Sequence, residues 1–250
     1  MNSTWIKILS AFIPGRRRRW AFRNRLTANV LSATNDIRID RKDAGRCRLS
    51  ISGKNNVVHV GKLRPGKGEL DVRIFGDGNE VVIGDGVSVA QFLRVVVGQN
   101  HPNFGPVEKC RISIGGRTGF QSAQCVTYNS GAAVEIGSDC MFSCGITLYQ
   151  TDGHPVLDLE SRRVVNRAGT LRVGDHVWVG AHAALLKNSL VADDCIVGFG
   201  SVVSGKFDRS HCAIAGNPAR VVTKPGRDVT WCRGDPDYVR NGLSAKEDRA

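Results

Sequence analysis

A six-residue repeat is the feature that most restricts the possible folds of this chain. Between Val173 and Val203, every sixth residue is aliphatic: Val173, Val179, Leu185, Val191, Val197 and Val203. An α-helix repeats about every 3.6 residues and a β-strand about every two, so neither element alone produces this period. A fixed six-residue period is typical of a parallel β-helix, in which each short side of the coil directs one aliphatic residue inward. Three sides close a triangular coil of about 18 residues, and stacked coils share one apolar core.

A second pattern extends the predicted coil towards the N-terminus. Tetrads of two apolar residues around a spacer, followed by glycine, occur at 58–61, 81–84, 112–115, 134–137 and 171–174. Successive tetrad glycines are 23, 31, 22 and 37 residues apart, which is more than one coil of about 18 residues. We expect the surplus residues to leave the coil as loops, the two longest at 99–109 and 149–170. Long loops on a compact scaffold commonly carry function.

The composition fits a narrow coil and indicates an anionic partner. Aromatic residues make up only 6% of the chain, as expected where the coil interior has little room for rings. The formal net charge of +12 favours a nucleic acid, an anionic membrane surface or a phosphate-bearing ligand. Because no zinc finger, helix-turn-helix or RNA-binding signature is present, we do not expect nucleic acid. The eight cysteines lack paired zinc spacing, which predicts reduced thiols in a cytoplasmic protein.

The sequence divides into three predicted parts. Residues 1–36 form a basic, amphipathic helical segment, in which an apolar stretch precedes an arginine-rich one, the reverse of the order in a secretory signal. Such a segment can lie on an anionic membrane or cap the first coil, and both interpretations stay open. The β-helix is expected at 37–222 and a cap or tail at 223–250. No run of 18 apolar residues predicts a transmembrane helix.

The repeat region resembles the hexapeptide-repeat acyltransferases, an all-β family whose fold is a left-handed parallel β-helix. The resemblance rests on VGDHVWVGAHAALL (173–186), VADDCIVGFGSVVSG (191–205) and AIAGNPARVV (213–222). In addition, TDGHPV (151–156) resembles the catalytic-histidine loop of the sugar and galactoside acetyltransferase branch. The likeness covers roughly residues 110–222, with a weaker extension back to about residue 37. It alone implies the left-handed winding, because a six-residue period does not specify handedness.

This resemblance implies an acetyl-CoA-dependent O-acetyltransferase that works as a homotrimer with its sites between subunits. His154 would be the general base that takes the proton of a sugar hydroxyl. Trp178 should face outward, because an indole is too wide for the coil interior and Val177 and Val179 lie on either side of it in the sequence. Its ring could flank the pantetheine arm, stack on a sugar, or contact a neighbouring subunit or the loop above. Asp152 or a backbone carbonyl would orient the His154 ring. The implied coenzyme A contacts are Gly180, Ala181, Gly198, Phe199, Ser204, Lys206 and Arg220. The two long loops add Asp152, Tyr149 and His101 as acceptor-binding residues.

The expected acceptor is a bacterial surface or capsular polysaccharide, or a lipid-linked glycan at the inner membrane face. The first residues loosely resemble those of capsule and surface-glycan biosynthesis proteins, and sialic-acid-containing capsules are among the candidates. Three alternatives stay open: an acetyltransferase for a small sugar, amino sugar or antibiotic, a γ-carbonic-anhydrase-like zinc enzyme, and a non-catalytic β-helix scaffold. Because His176 and His182 are six residues apart, they lack the close histidine pair of the zinc enzymes, and no metal site is expected.

Overall fold

The chain winds as a parallel β-helix with three sides. A computed structural model of the protein describes residues 34–39, 46–99, 106–167 and 169–233. These residues form 21 strands, and no helix occurs within the described ranges. None of the described residues therefore contributes a helix that could span a membrane. Residues 1–33 of the predicted basic segment lie outside the described residues, so its two interpretations stay predictions.

The first side is a parallel sheet of eight strands. Its strands are β1 (Asp36–Ile39), β3 (Val57–Val60), β5 (Glu80–Ile83), β8 (Arg111–Ile114), β10 (Ala133–Ile136), β13 (Thr170–Val173), β16 (Leu190–Val191) and β19 (Lys206–Phe207). The predicted tetrads lie on this side in register. The aligned residues are Val58, Val81, Ile112, Val134 and Leu171.

The second and third sides share a sheet of 13 strands. The second side contains β11 (Met141–Phe142), β14 (Trp178–Val179), β17 (Ile196–Val197) and β20 (Ala213–Gly216). The third side contains β2 (Cys47–Ser52), β4 (Glu69–Asp77), β12 (Ile146–Tyr149), β15 (Ala184–Leu186) and β18 (Val202–Val203). Two long strands run across both sides, β6 (Ser88–Val97) and β9 (Gly119–Thr127). The short β7 (Val107–Glu108) pairs with β4, and β21 (Ala219–Val221) pairs antiparallel with β20 at the end of the stack.

The six-residue repeat builds the core as predicted. Every aliphatic residue of the repeat from Val173 to Val203 is at most 1% exposed. Leu185, for example, points inward from the third side, and its Cα partners in the neighbouring coils are Leu148 and Val203. Each coil thus adds three inward side chains to one continuous apolar column, which supplies most of the hydrophobic stabilisation.

In the longer coils the surplus residues all come after the aligned inward residue of the third side and before the first side of the next coil. In the 149–170 loop Leu157 and Val164 form an antiparallel bridge outside the coil strands. Residues 100–105 of the other predicted loop lie outside the described residues. The prediction that every surplus is a loop is wrong for the short ones. Part of each short surplus instead lengthens the third side, where β4 has nine residues and β15 has three. The third side is therefore wider in the N-terminal coils than in the C-terminal ones.

The C-terminal segment 229–233 runs back along the stack over the corner between the first and second sides. The Val229 amide donates to the carbonyl of His211 (2.9 Å) in the last coil. Farther along, the Trp231 indole donates to the carbonyl of His176 (2.7 Å), and Arg233 donates to the carbonyl of Arg117 (2.7 Å). Trp231 thus packs on the coil as expected of a cap, whereas residues 234–250 of the predicted tail lie outside the described residues.

Candidate functional site

The loop between β12 and β13 carries His154 on the surface, at the corner between the third and first sides. His154 is exposed. Gly153 precedes it with φ 74°, a left-handed conformation that glycine adopts readily, so the chain turns sharply there. The side-chain amide of Asn166 donates to the His154 carbonyl at 2.9 Å. The loop therefore presents the imidazole outside the coil, while the hydrogen bond from Asn166, in the second half of the loop, fixes the backbone at His154.

Asp152 and Lys187 hold this loop to the next coil. The Asp152 Oδ2 atom accepts hydrogen bonds from Lys187 Nζ (2.5 Å) and Asn166 Nδ2 (2.7 Å). Lys187 also donates to the Asn166 carbonyl at 2.8 Å, and its side chain is only 14% exposed. The hydrogen bond from Lys187 is the main cause that lowers the pKa of Asp152. An ionised Asp152 thus anchors the loop, and its predicted contact with the His154 ring stays a prediction.

The two ends of the loop are also tied together. Gln150 is fully buried, and its side-chain amide exchanges two hydrogen bonds of 3.0 Å with Asn188 in the next coil. Asn188 Oδ1 also accepts from the amide of Gly169 at 2.6 Å. Sequence reasoning did not identify Lys187, Asn166 and Asn188. For Lys187 and Asn188 the signal was their position two and three residues after the repeat residue Leu185, where the coil must turn, and Asn166 had no such signal.

Trp178 begins β14 on the second side and points away from the core, as expected from its buried neighbours Val177 and Val179. Its outer surface is partly covered, because the rings of Trp178 and Trp231 pack with centroids 6.4 Å apart. The Trp178 Nε1 atom is buried and has no hydrogen-bond partner among the described residues. His154 and Trp178 therefore lie on different sides of the coil within one chain.

Four of the predicted coenzyme A contacts meet at the corner between the second and third sides. They are Gly180, Ala181, Gly198 and Phe199. Phe199 is 75% exposed, and its ring meets that of His182 edge-on with centroids 5.4 Å apart. A Cβ atom on Gly180 would lie 2.8 Å from the Phe199 nitrogen, so close coil packing alone requires glycine there.

The other predicted cofactor residues lie elsewhere on the coil. Ser204 is exposed at the corner between the third and first sides, and the exposed Lys206 begins β19 on the first side. Arg220 lies on β21 opposite Ala215, and its guanidinium donates to the Ala219 carbonyl at 2.8 Å. One chain therefore does not gather all seven residues into one groove, and their role stays a prediction.

Of the predicted acceptor-binding residues, Tyr149 lines a cavity of about 510 Å³ on the third side. Tyr149 also hydrogen-bonds Tyr128, whose pKa is raised by burial and by this neighbour. His101 lies outside the described residues, so its predicted contact is not tested by the structure.

His176 and His182 occupy successive corners of one coil and do not converge. The His176 ring stacks on Trp231 with centroids 4.6 Å apart and hydrogen-bonds Asp194 at 2.8 Å. His182 packs at the next corner against Phe199. Across the described ranges, no three His, Cys, Asp or Glu side chains are placed to hold a metal ion together.

Several known proteins are similar to this chain, whereas no protein-family model matches it. A polysialic acid O-acetyltransferase of Escherichia coli O1:K1 / APEC is 33% identical over 102 residues, which are 41% of this chain and 32% of that protein. The chain thus aligns with about a third of that relative's length. A polysialic acid O-acetyltransferase of Neisseria meningitidis is 25% identical over 155 residues, 57% of this chain and 71% of that protein.

A crystal structure of a polysialic-acid-specific acetyltransferase is also similar to this chain. It superposes with a TM-score of 0.58 at 26% identity, over 81% of this chain and 99% of that one. The matched folds agree with the left-handed β-helix that the resemblance predicts. In its repeat, its fold and these relatives, the chain is similar to the hexapeptide-repeat acyltransferases.

Proposed function

We propose that this protein transfers an acetyl group from acetyl-CoA to a hydroxyl of an acidic, sialic-acid-containing polysaccharide. The observation that carries the proposal is the anchored loop that presents His154, on a fold shared with polysialic acid O-acetyltransferases. The formal net charge of +12 supports an anionic acceptor, because long-range attraction raises the encounter rate of opposite charges.

In the proposed reaction His154 acts as the general base. A neutral imidazole accepts the hydroxyl proton while the hydroxyl oxygen attacks the thioester carbonyl, since a hydroxyl is a weak nucleophile near neutral pH. The tetrahedral intermediate then expels the coenzyme A thiolate, which takes the proton back from the imidazolium. The acetyl ester, free coenzyme A and neutral His154 are the products, and no acyl-enzyme forms.

The proposed active site combines residues of two chains of a homotrimer. His154 and Trp178 lie on different sides of one coil, so a neighbouring copy must supply one of them if both act at one site. Acetyl-CoA would then lie along the corner formed by Gly180, Gly198 and Phe199, with Lys206 or Arg220 near its phosphates. The basic segment before residue 33 would bring the enzyme to the inner membrane face, where lipid-linked glycans are assembled.

Acceptor-dependent release of free coenzyme A from acetyl-CoA tests the proposal. The wild-type protein should release coenzyme A with polysialic acid, and not with neutral dextran. His154→Ala should abolish release while the circular dichroism spectrum and melting temperature stay unchanged, and His211→Ala, an exposed histidine in the last coil, is the matched control. Release by His154→Ala at the wild-type rate would remove the base assignment. If small amino sugars stimulate release and no polysaccharide does, the acceptor assignment fails.

A further inference from the structure

The wide third side of the N-terminal coils contains a cavity of about 510 Å³ that the proposed chemistry does not use. Hydrogen-bonding side chains dominate its wall. They include Ser50, Arg73, Arg94, Gln124, Tyr128 and Tyr149. No aspartate or glutamate lines the cavity, but Asp71 accepts hydrogen bonds from both arginines of its wall.

Asp71 fixes the two arginines without neutralising both. Its side chain is only 7% exposed and accepts from Arg73 Nη2 at 2.7 Å and from Arg94 Nε at 3.2 Å. Arg73 and Arg94 remain 48% and 44% exposed. Within the described residues, the Nη1 atom of Arg73 and both Nη atoms of Arg94 have no hydrogen-bond partner. One carboxylate therefore orients two guanidinium groups and leaves a net positive charge at the cavity wall.

The strand register gives the cavity an elongated shape along the stack. Arg94 is the direct neighbour of Gln124, and Arg73 is separated from Tyr149 by β6 and β9. Three strand spacings of about 4.8 Å place Arg73 and Tyr149 about 14 Å apart. Tyr149 ends β12, and His154 follows five residues later in the chain. The arginines therefore lie on the side of the loop base that faces the N-terminal coils.

We propose that this cavity binds carboxylate groups of the acidic polysaccharide, away from the sugar that receives the acetyl group. The inference rests on the proposed function, and it adds where the acceptor chain is held. Guanidinium groups bind carboxylates through paired, charge-assisted hydrogen bonds, and Asp71 orders them before the ligand arrives. A polymer held at Arg73 and Arg94 would pass Gln124 and Tyr149 before it reaches His154.

Binding of oligosialic acid without acetyl-CoA tests this inference. Arg94→Gln leaves Arg73 to compensate the buried Asp71 and should weaken binding by about tenfold to 100-fold, measured by titration calorimetry. Arg94→Lys keeps the charge without the planar donor pair and should recover part of the affinity. The matched control is Arg172→Gln, which removes an equally charged group from the first side and should bind like wild type.

Kinetics separate this inference from the proposed function. Arg94→Gln should raise KM for polysialic acid by the same factor and leave kcat and KM for acetyl-CoA unchanged. Gln124→Glu, which removes neither arginine nor Asp71, should also weaken binding, because the new carboxylate competes for Arg94 and repels the ligand. If both variants fold and bind oligosialic acid like wild type, the cavity is not the acceptor site, although acetyl transfer can still occur. If wild type acetylates no polysaccharide at all, the proposed function fails first.

Discussion

Lys187 offers a direct test of how the coil anchors the loop that carries His154. Lys187→Met keeps the apolar stem of this largely buried side chain but removes the ammonium group that binds Asp152 and the Asn166 carbonyl. Two charge-assisted hydrogen bonds are lost, and Asp152 is 41% exposed, so solvent screens part of their strength. We therefore expect the anchored loop to lose about 1–3 kcal/mol relative to its open states.

This loss should reduce activity more than global stability. If His154 is productive only in the anchored loop, and anchored and open loops are close in free energy in the wild type, 1–3 kcal/mol lowers kcat/KM by about fivefold to 100-fold. Hydrogen exchange of residues 151–167 should accelerate, while the melting temperature should change little because the aliphatic core is intact. Lys54→Met removes an exposed lysine far from this loop and should leave both readouts unchanged. Wild-type kcat/KM together with wild-type exchange in Lys187→Met would refute the anchoring role.

The pH dependence of the same anchor has a defined sign. The pKa of Asp152 is lowered, mainly by Lys187, so its stabilising effect is fully present above the ordinary aspartate value of 3.8. It is lost only as the pH falls through the lower folded value. Asp152 therefore stays ionised between about pH 5 and pH 8, and opening of the loop should not depend on pH through Asp152 in this range. A loop that opens near pH 6 in the His154→Ala variant would contradict this.

Two further predictions concern the rest of the coil. In the native protein a thiol reagent should modify exposed Cys232 quickly and half-buried Cys144 slowly. The buried thiols should stay unreactive, because burial raises the pKa of Cys125, for example, to about 12. Rapid modification of more than two thiols would contradict this packing. Trp231→Ala should release the C-terminal segment and uncover Trp178. Trypsin should therefore cleave within residues 224–233 faster than in the wild type. An unchanged cleavage rate would show that other contacts hold the segment.

The coil was predictable because its cause is local and repeated. Every sixth residue must fill the same apolar column, so the pattern from Val173 to Val203 specifies which side chains are buried. The tetrads predicted the first side for the same reason, since their inward residues stack directly on one another. The outward direction of Trp178 also followed from its two buried neighbours.

The contacts that shape the candidate site could not be predicted in this way. Lys187 and Asp152 are 35 residues apart, and they meet only because the loop folds back on the next coil. The cavity at Arg73 and Arg94 depends on where surplus residues widen the third side, which the spacing between tetrads does not indicate. The cover over Trp178 comes from Trp231, in a segment that carries no repeat.

Direct detection of the product tests the central claim. Purified protein, acetyl-CoA and polysialic acid should yield alkali-labile acetyl esters on the polymer, detectable by NMR, with one free coenzyme A released per ester. His154→Ala should form no ester while still binding the polymer with wild-type affinity. Esters formed at the wild-type rate by His154→Ala, or coenzyme A release by the wild type without ester on the polymer, would contradict the account.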